Sequence, residues 1–127
     1  MAILDTSFLV DVLRNHPPAL KLIDDIETRE NLHIPSPAIT ELWAGALKST
    51  LPEKEKQRVN ELISSFKVLD LDAKSAKRAA EVEVHLIHSP IEPEDTMIAG
   101  IALTYGETII TRDEHYARIP GLKVLKY

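Results

Sequence analysis

Four acids stand where an acid is chemically conspicuous. Asp5 directly follows the apolar run Ala2-Ile3-Leu4, and Asp113 ends Ile109-Ile110-Thr111-Arg112-Asp113. Each therefore lies at or just past the carboxyl end of a segment that reads as a strand. Asp95 falls in the first turn of a helical stretch, with Ile98, Ala99 and Ala102 at i+3, i+4 and i+7. That spacing turns it toward the apolar side of the helix rather than to water. Glu41 has Ala38, Ala44 and Gly45 at i−3, i+3 and i+4, and such small neighbours let other groups approach its carboxylate. Taken singly, each acid has an ordinary role. Asp5 and Asp113 could cap helices, Asp95 could complement a helix dipole, and Glu41 could be solvated. These roles do not explain why the acids occupy strand ends and inward helix faces. If the first and fourth strands are neighbours, Asp5 and Asp113 converge. Gathered carboxylates cannot all stay ionised and unpaired. A hard divalent cation with oxygen ligands resolves the repulsion. Mg²⁺ or Mn²⁺ fits this donor set, whereas zinc would want a convergent His cluster. Such a cation suits phosphate chemistry: it activates a water, orients the phosphate and stabilises the leaving oxygen.

The elements that must position these acids alternate short apolar runs with helical ones. Ala2 to Leu4, Leu32 to Ile34, Lys67 to Leu71, Thr108 to Thr111 and Lys123 to Lys126 read as five strands. Residues 6–14 form a largely apolar helix that Pro17-Pro18 breaks, and Leu20, Leu22, Ile23 and Ile26 mark a second. Ser36-Pro37 reads as an N-cap and N1 proline opening a helix over 37–48. Thr50-Leu51-Pro52-Glu53 fits a capping box, ahead of Val59, Leu62, Ile63 and Phe66 at helical spacing. Asp72 caps a helix whose stripe is Ala76, Ala80, Val84 and Ile87. A helix over 93–105 stops at Gly106, a C′ residue, and a short one spans Glu114 to Arg118. Strands alternating with helices imply parallel pairing and an α/β sandwich. In such sheets ligands sit beyond the carboxyl ends of the strands, at the topological switch point.

Composition bounds the function classes. The 127 residues suggest one domain over 1–127. With no cysteine, disulfides, Cys-ligated zinc, iron–sulfur clusters and thiol catalysis are excluded. No apolar run approaches the roughly 20 residues that span a bilayer. The N-terminal stretch lacks the basic region and cleavage site of a signal peptide, so a cytoplasmic protein is expected. Lys and Arg number 15 against 20 Asp and Glu, a net charge of −5. A protein that binds nucleic acid through phosphate neutralisation alone is usually basic. A bound cation would invert the local field and leave a nucleic acid open as substrate.

The sequence resembles the PIN domain, specifically the VapC-type toxin ribonucleases of toxin–antitoxin pairs, over essentially its whole length. Ile3-Leu4-Asp5-Thr6-Ser7 resembles the family's opening strand and first acid, and Glu41 in Ile39-Thr40-Glu41-Leu42 its second. Asp95-Thr96-Met97-Ile98-Ala99-Gly100-Ile101-Ala102 is similar to the third acid and its helix. Ile109 to Asp113, continuing through Arg118-Ile119-Pro120-Gly121-Leu122-Lys123-Val124, resembles the C-terminal signature. The resemblance implies a three-layer α/β/α sandwich with a five-stranded parallel sheet in the order 3-2-1-4-5. It implies a Mg²⁺- or Mn²⁺-dependent endoribonuclease, a homodimer, and inhibition by a cognate antitoxin. Asp5, Glu41 and Asp95 would form the core metal site. Asp113 stands where relatives often carry Asn, and adds a negative charge. The implied chemistry is in-line attack of a metal-activated water on an RNA phosphodiester, giving a 5′-phosphate and a 3′-hydroxyl. Thr6 and Thr111 would support the ligands by hydrogen bonds, and Arg112 would meet a substrate phosphate or form a surface ion pair.

Other readings have less support. A response-regulator receiver domain would want clustered acids after the first strand, where Thr6-Ser7-Phe8 stands. A structure-specific DNA nuclease of PIN type would need an inserted helical arch. A non-catalytic PIN-like RNA-binding or assembly module is the main alternative, and the intact acids argue against it. His85 and His88 lack a third ligand, Asp70 and Asp72 lie where capping suffices, and no nucleotide-binding glycine motif occurs. Trp43, Leu47 and Leu51 form a stripe that is either core or a partner surface.

Overall fold

The structure, a computed structural model, describes residues 2–25 and 31–127. Its strands are β1 (Ala2–Leu4), β2 (Leu32–Pro35), β3 (Lys67–Leu69), β4 (Thr108–Thr111) and β5 (Lys123–Lys126). Its α-helices are α1 (Thr6–Leu13), α2 (Pro17–Asp25), α3 (Ser36–Lys48), α4 (Pro52–Ser64), α5 (Ala73–His85) and α6 (Pro93–Tyr105). A 3₁₀ turn covers Glu114–Arg118. The strands form one sheet in the order β3-β2-β1-β4-β5, every pair parallel. This is the expected α/β architecture. The Ile26 position of the second predicted helix lies outside the described residues.

Burial shows why helices cover both faces. Successive strand residues point to opposite sides, yet Ile3 and Leu4 are both buried, as are Ile109 and Ile110. A parallel sheet apolar on both sides must be sandwiched. The edge strands β3 and β5 are more exposed. β1 and β4 pair in register, Leu4 opposite Ile110, and the Asp5 amide donates to the Ile110 carbonyl at 3.1 Å. Asp5 is thereby fixed beside Thr111, at the switch point of the sheet.

Several local readings need correction. The stripe of α5 is rotated: Ser75, Ala79 and Val82 face inward, with Leu86 just past the helix, while Val84 and Ile87 are 67% and 65% exposed. The cause is the close approach of α6. A Cβ on Gly100 would lie 2.5 Å from the Ser75 carbonyl oxygen and 2.7 Å from the Ala79 nitrogen. Backbone contact, rather than side-chain hydrophobicity, sets the face. The N-cap of α3 is Pro35 rather than Ser36, whose hydroxyl instead accepts the Leu71 amide at 3.0 Å and ties β3's exit to α3. No capping box forms before α4; Leu51 occupies the cap without a side-chain bond. β3 also ends at Leu69 rather than Leu71. Asp72 does cap α5, in a reciprocal box with Ser75. Of the Trp43 stripe, Leu47 and Leu51 are exposed, whereas Trp43 is half-buried against the core.

Candidate active site

The carboxyl ends of β1 and β4 open into a cavity of about 620 Å³. Its walls carry Asp5, Glu41, Asp95 and Asp113, with Glu92 and Glu94 added from the start of α6. Among the described residues Lys48 and Arg112 are the lysine and arginine on its wall. The four acids singled out in the sequence are thus brought to one cavity, each by a different element. Asp5 comes from the β1–α1 junction and Glu41 from α3. Asp95 is in the first turn of α6, and Asp113 follows β4.

Asp5 is 1% exposed and sits at the N-cap of α1, yet its side chain makes no cap. Its Oδ2 accepts from Ser7 Oγ at 2.8 Å and Thr111 Oγ1 at 2.7 Å, and its Oδ1 from the Tyr116 hydroxyl at 2.8 Å. The Tyr116 hydroxyl also lies 3.1 Å from Asp95 Oδ1, so one buried phenol spans two acids. Burial and the Asp5 carboxylate beside it push that phenol's pKa up and keep it a proton donor. Asp95 Oδ2 lies 3.0 Å from His115 Nε2, an ion-pair distance without an aligned hydrogen bond. The same nitrogen is 4.0 Å from Asp113 Oδ2. Asp113 stands at the N-cap of the 3₁₀ turn, again without a side-chain cap. Its amide donates to Thr111 Oγ1 at 3.0 Å, so Thr111 braces Asp5 and Asp113 together.

Gathering these groups raises the proton affinity of Glu41, Asp95 and Asp113. Burial, then Asp95, Glu94 and Asp5, push Glu41 up to about 7. Burial and Asp5 raise Asp95, and burial and Asp5 raise Asp113 against the pull of His115 and Arg112. Among the described residues no three His, Asp or Glu side chains converge into a ready-made cation cage. The donor set nevertheless fits a divalent cation. It offers hard oxygens in an acidic cavity, and the buried Thr6 hydroxyl faces Glu41 with no aligned partner of its own.

Arg112 lines the cavity and also pairs through Nε with Asp11 Oδ2 at 3.2 Å. Sequence reasoning missed Ser7, Asp11, His115 and Tyr116, along with Glu92 and Glu94. Tyr116 was accessible in principle, because residues at i and i+3 eclipse in a 3₁₀ turn and Asp113 is three residues before it. Its phenol reads as a packing residue until the fold brings Asp5 to it.

The fold and this acidic cavity define a class. The PIN-domain family profile matches residues 2–122, and the chain belongs to that family. A tRNA(fMet)-specific endonuclease VapC from Salmonella typhimurium is 32% identical over 124 residues, covering 95% of this chain and 93% of the relative. The structure of DNA-bound VapBC from Salmonella typhimurium superposes with a TM-score of 0.89 at 30% identity, covering 99% of this chain and 98% of that one. VapBC2 from Rickettsia felis, bound to a fragment of its promoter, gives a TM-score of 0.90 at 23% identity, with 99% and 98% covered, and shares the fold. Among the described residues no helix is long and apolar enough to cross a membrane.

Proposed function

We infer that this chain is a VapC-type toxin ribonuclease, one half of a type II toxin–antitoxin pair, folded as a single domain over 1–127. The observation that carries this reading is the placement of Asp5, Glu41, Asp95 and Asp113 on the wall of one cavity at the ends of β1 and β4. The similarity to a tRNA(fMet)-specific endonuclease VapC supports RNA as the substrate class; attack of water on a phosphodiester would leave a 5′-phosphate and a 3′-hydroxyl.

Asp5, Glu41 and Asp95 would hold Mg²⁺ or Mn²⁺, with Asp113 adding a further carboxylate. Such an ion supplies Lewis acidity to a phosphodiester oxygen and lowers the pKa of a water at neutral pH. The protein's own groups do the rest. Ser7, Thr111 and Tyr116 hold the Asp5 carboxylate in one orientation by three hydrogen bonds. Tyr116 couples that orientation to Asp95. Glu41, whose pKa burial and the neighbouring acids raise to about 7, must release its proton to become a ligand. Thr6 has an uncommitted hydroxyl to steady it. Lys48 and Arg112 give the acidic cavity two cationic positions for phosphates of the strand.

The partners follow from the same reading: RNA as substrate, a cognate antitoxin as inhibitor, and a second copy in a homodimer, all in the cytoplasm. The test is incubation of antitoxin-free protein with end-labelled tRNA and single-stranded RNA in Mg²⁺, Mn²⁺ or EDTA. Cleavage should require the metal and vanish in Asp95→Asn. A folded protein that neither cleaves RNA nor binds metal would instead be a non-catalytic PIN-like module.

A further inference from the structure

Asp11 is a buried acid outside the four that line the cavity. It lies on α1, six residues after Asp5, with a side chain 7% exposed. A buried carboxylate needs partners to stay charged, and its Oδ2 has two. Arg112 Nε lies 3.2 Å away, and the Tyr127 hydroxyl donates to it at 2.6 Å. Tyr127 is itself anchored, its ring set edge-on against buried Phe8 at 5.0 Å and 88°. Asp11 is therefore held from one side by a packed aromatic and holds Arg112 from the other.

Arg112 has nearer temptations. It precedes Asp113 in sequence and shares the cavity wall with Asp5 and Glu41. An unrestrained guanidinium there would pair with those carboxylates and occupy the place of the cation. Instead it is engaged through Nε on Asp11, outside the cavity. Its side chain is 52% exposed, and among the described residues its terminal nitrogens have no hydrogen-bond partner. Those nitrogens form the planar fork that matches a phosphate.

We propose that Asp11, braced by Tyr127, is a positioning residue that draws Arg112 away from the acid cluster and presents its terminal nitrogens to a phosphate of the bound RNA. The inference rests on the ribonuclease reading and deepens it. It assigns work to α1 and to Tyr127 that lies outside the acid set.

The test is a mutant cycle in Mg²⁺-dependent cleavage of single-stranded RNA by the full chain without antitoxin, with melting temperatures alongside. Losing a charge-assisted phosphate contact in Arg112→Ala should raise KM about 10-fold or more. Asp11→Asn keeps the shape and should raise KM by about 3- to 10-fold, with kcat within about twofold only at saturating Mg²⁺, and should raise the Mg²⁺ concentration that half-maximal cleavage requires, since the released guanidinium competes with the cation for the acids. In the Arg112→Ala background, Asp11→Asn should change KM no further, because the two residues act as one unit. Tyr127→Phe keeps the ring on Phe8, loses the bond to Asp11, and should shift KM in the same direction but less. It also covers the case in which Asp11→Asn fails to fold. Two results would overturn the proposal. One is that Asp11→Asn and Tyr127→Phe lower the melting temperature with KM unchanged, which makes the pair a structural bridge only. The other is that the effect on KM persists undiminished without Arg112. A folded wild type that cleaves no RNA is a different failure: it overturns the ribonuclease reading and this inference with it.

Discussion

Asp72 and Asp5 occupy the same kind of place and do opposite things. Each is the extended residue just before a helix, α5 for one and α1 for the other. Asp72 accepts the Ser75 amide at 2.8 Å and closes a capping box. Hydrogen bonds from Tyr105 and Ser75 hold its carboxyl down at about 2. Asp5 leaves the amides of α1 alone and accepts three side-chain hydroxyls in a buried cavity shared with other acids. The difference lies in the surroundings, not the residue. Asp72 is exposed and faces its own helix; Asp5 is surrounded by the ends of β1 and β4 and by α6. An aspartate that forgoes its cap, and is buried among like charges, is held for something other than stability.

Four changes should break or sharpen that contrast. The largest effect belongs to the acid cavity: Asp95→Asn should lower RNA cleavage by about 100-fold or more, since it removes a group acting on the transition state. Its melting temperature should hold or rise, because a buried repulsion with Asp5 is relieved. Loss of fold in that variant would show Asp95 to be structural. On the α5 side, Gly100→Ala should cost about 1–3 kcal/mol by overpacking, read by denaturant unfolding, because its Cβ meets backbone atoms of Ser75 and Ala79. Asp72→Ala should lower the denaturant midpoint of unfolding through the lost cap. Its cleavage rate should not change, whereas Asp5→Asn should abolish cleavage.

The smallest effect is a pH dependence of the metal-free protein. Glu41 has its pKa raised from 4.5 to about 7 on folding. Between those values the folded state binds more protons than the unfolded one, so stability falls as pH rises through that window and levels off above it. For a partly solvated group the loss is on the order of 1 kcal/mol after screening. Unfolding curves in EDTA at several pH values would measure it, and Glu41→Gln should flatten the dependence.

Much of this was legible in the sequence because residue type carried it. The strands, α6 and its Gly106 stop follow from apolar runs and a left-handed C-cap residue, and the four acids stand out at strand ends and on inward helix faces. The sheet order came from resemblance, since strand periodicity does not say which strands pair. The face of α5 was misread because apolarity picks Val84 and Ile87, whereas the helix is seated by Gly100 against the backbone. The hydroxyl network was visible only at Thr111, which stands at a strand end and does donate to Asp5. Ser7 and Tyr116 have no distinctive type until β1 and β4 lie in register and the 3₁₀ turn folds back over Asp5.

The central claim is that the acids at the ends of β1 and β4 form a divalent-cation site. Titration calorimetry of antitoxin-free protein with Mn²⁺ tests it most directly, comparing wild type with Asp5→Asn and Asp72→Asn at matched pH. Saturable binding is expected in wild type and Asp72→Asn, and its loss in Asp5→Asn. Absence of binding to a folded wild type, or equal binding by Asp5→Asn, would contradict it.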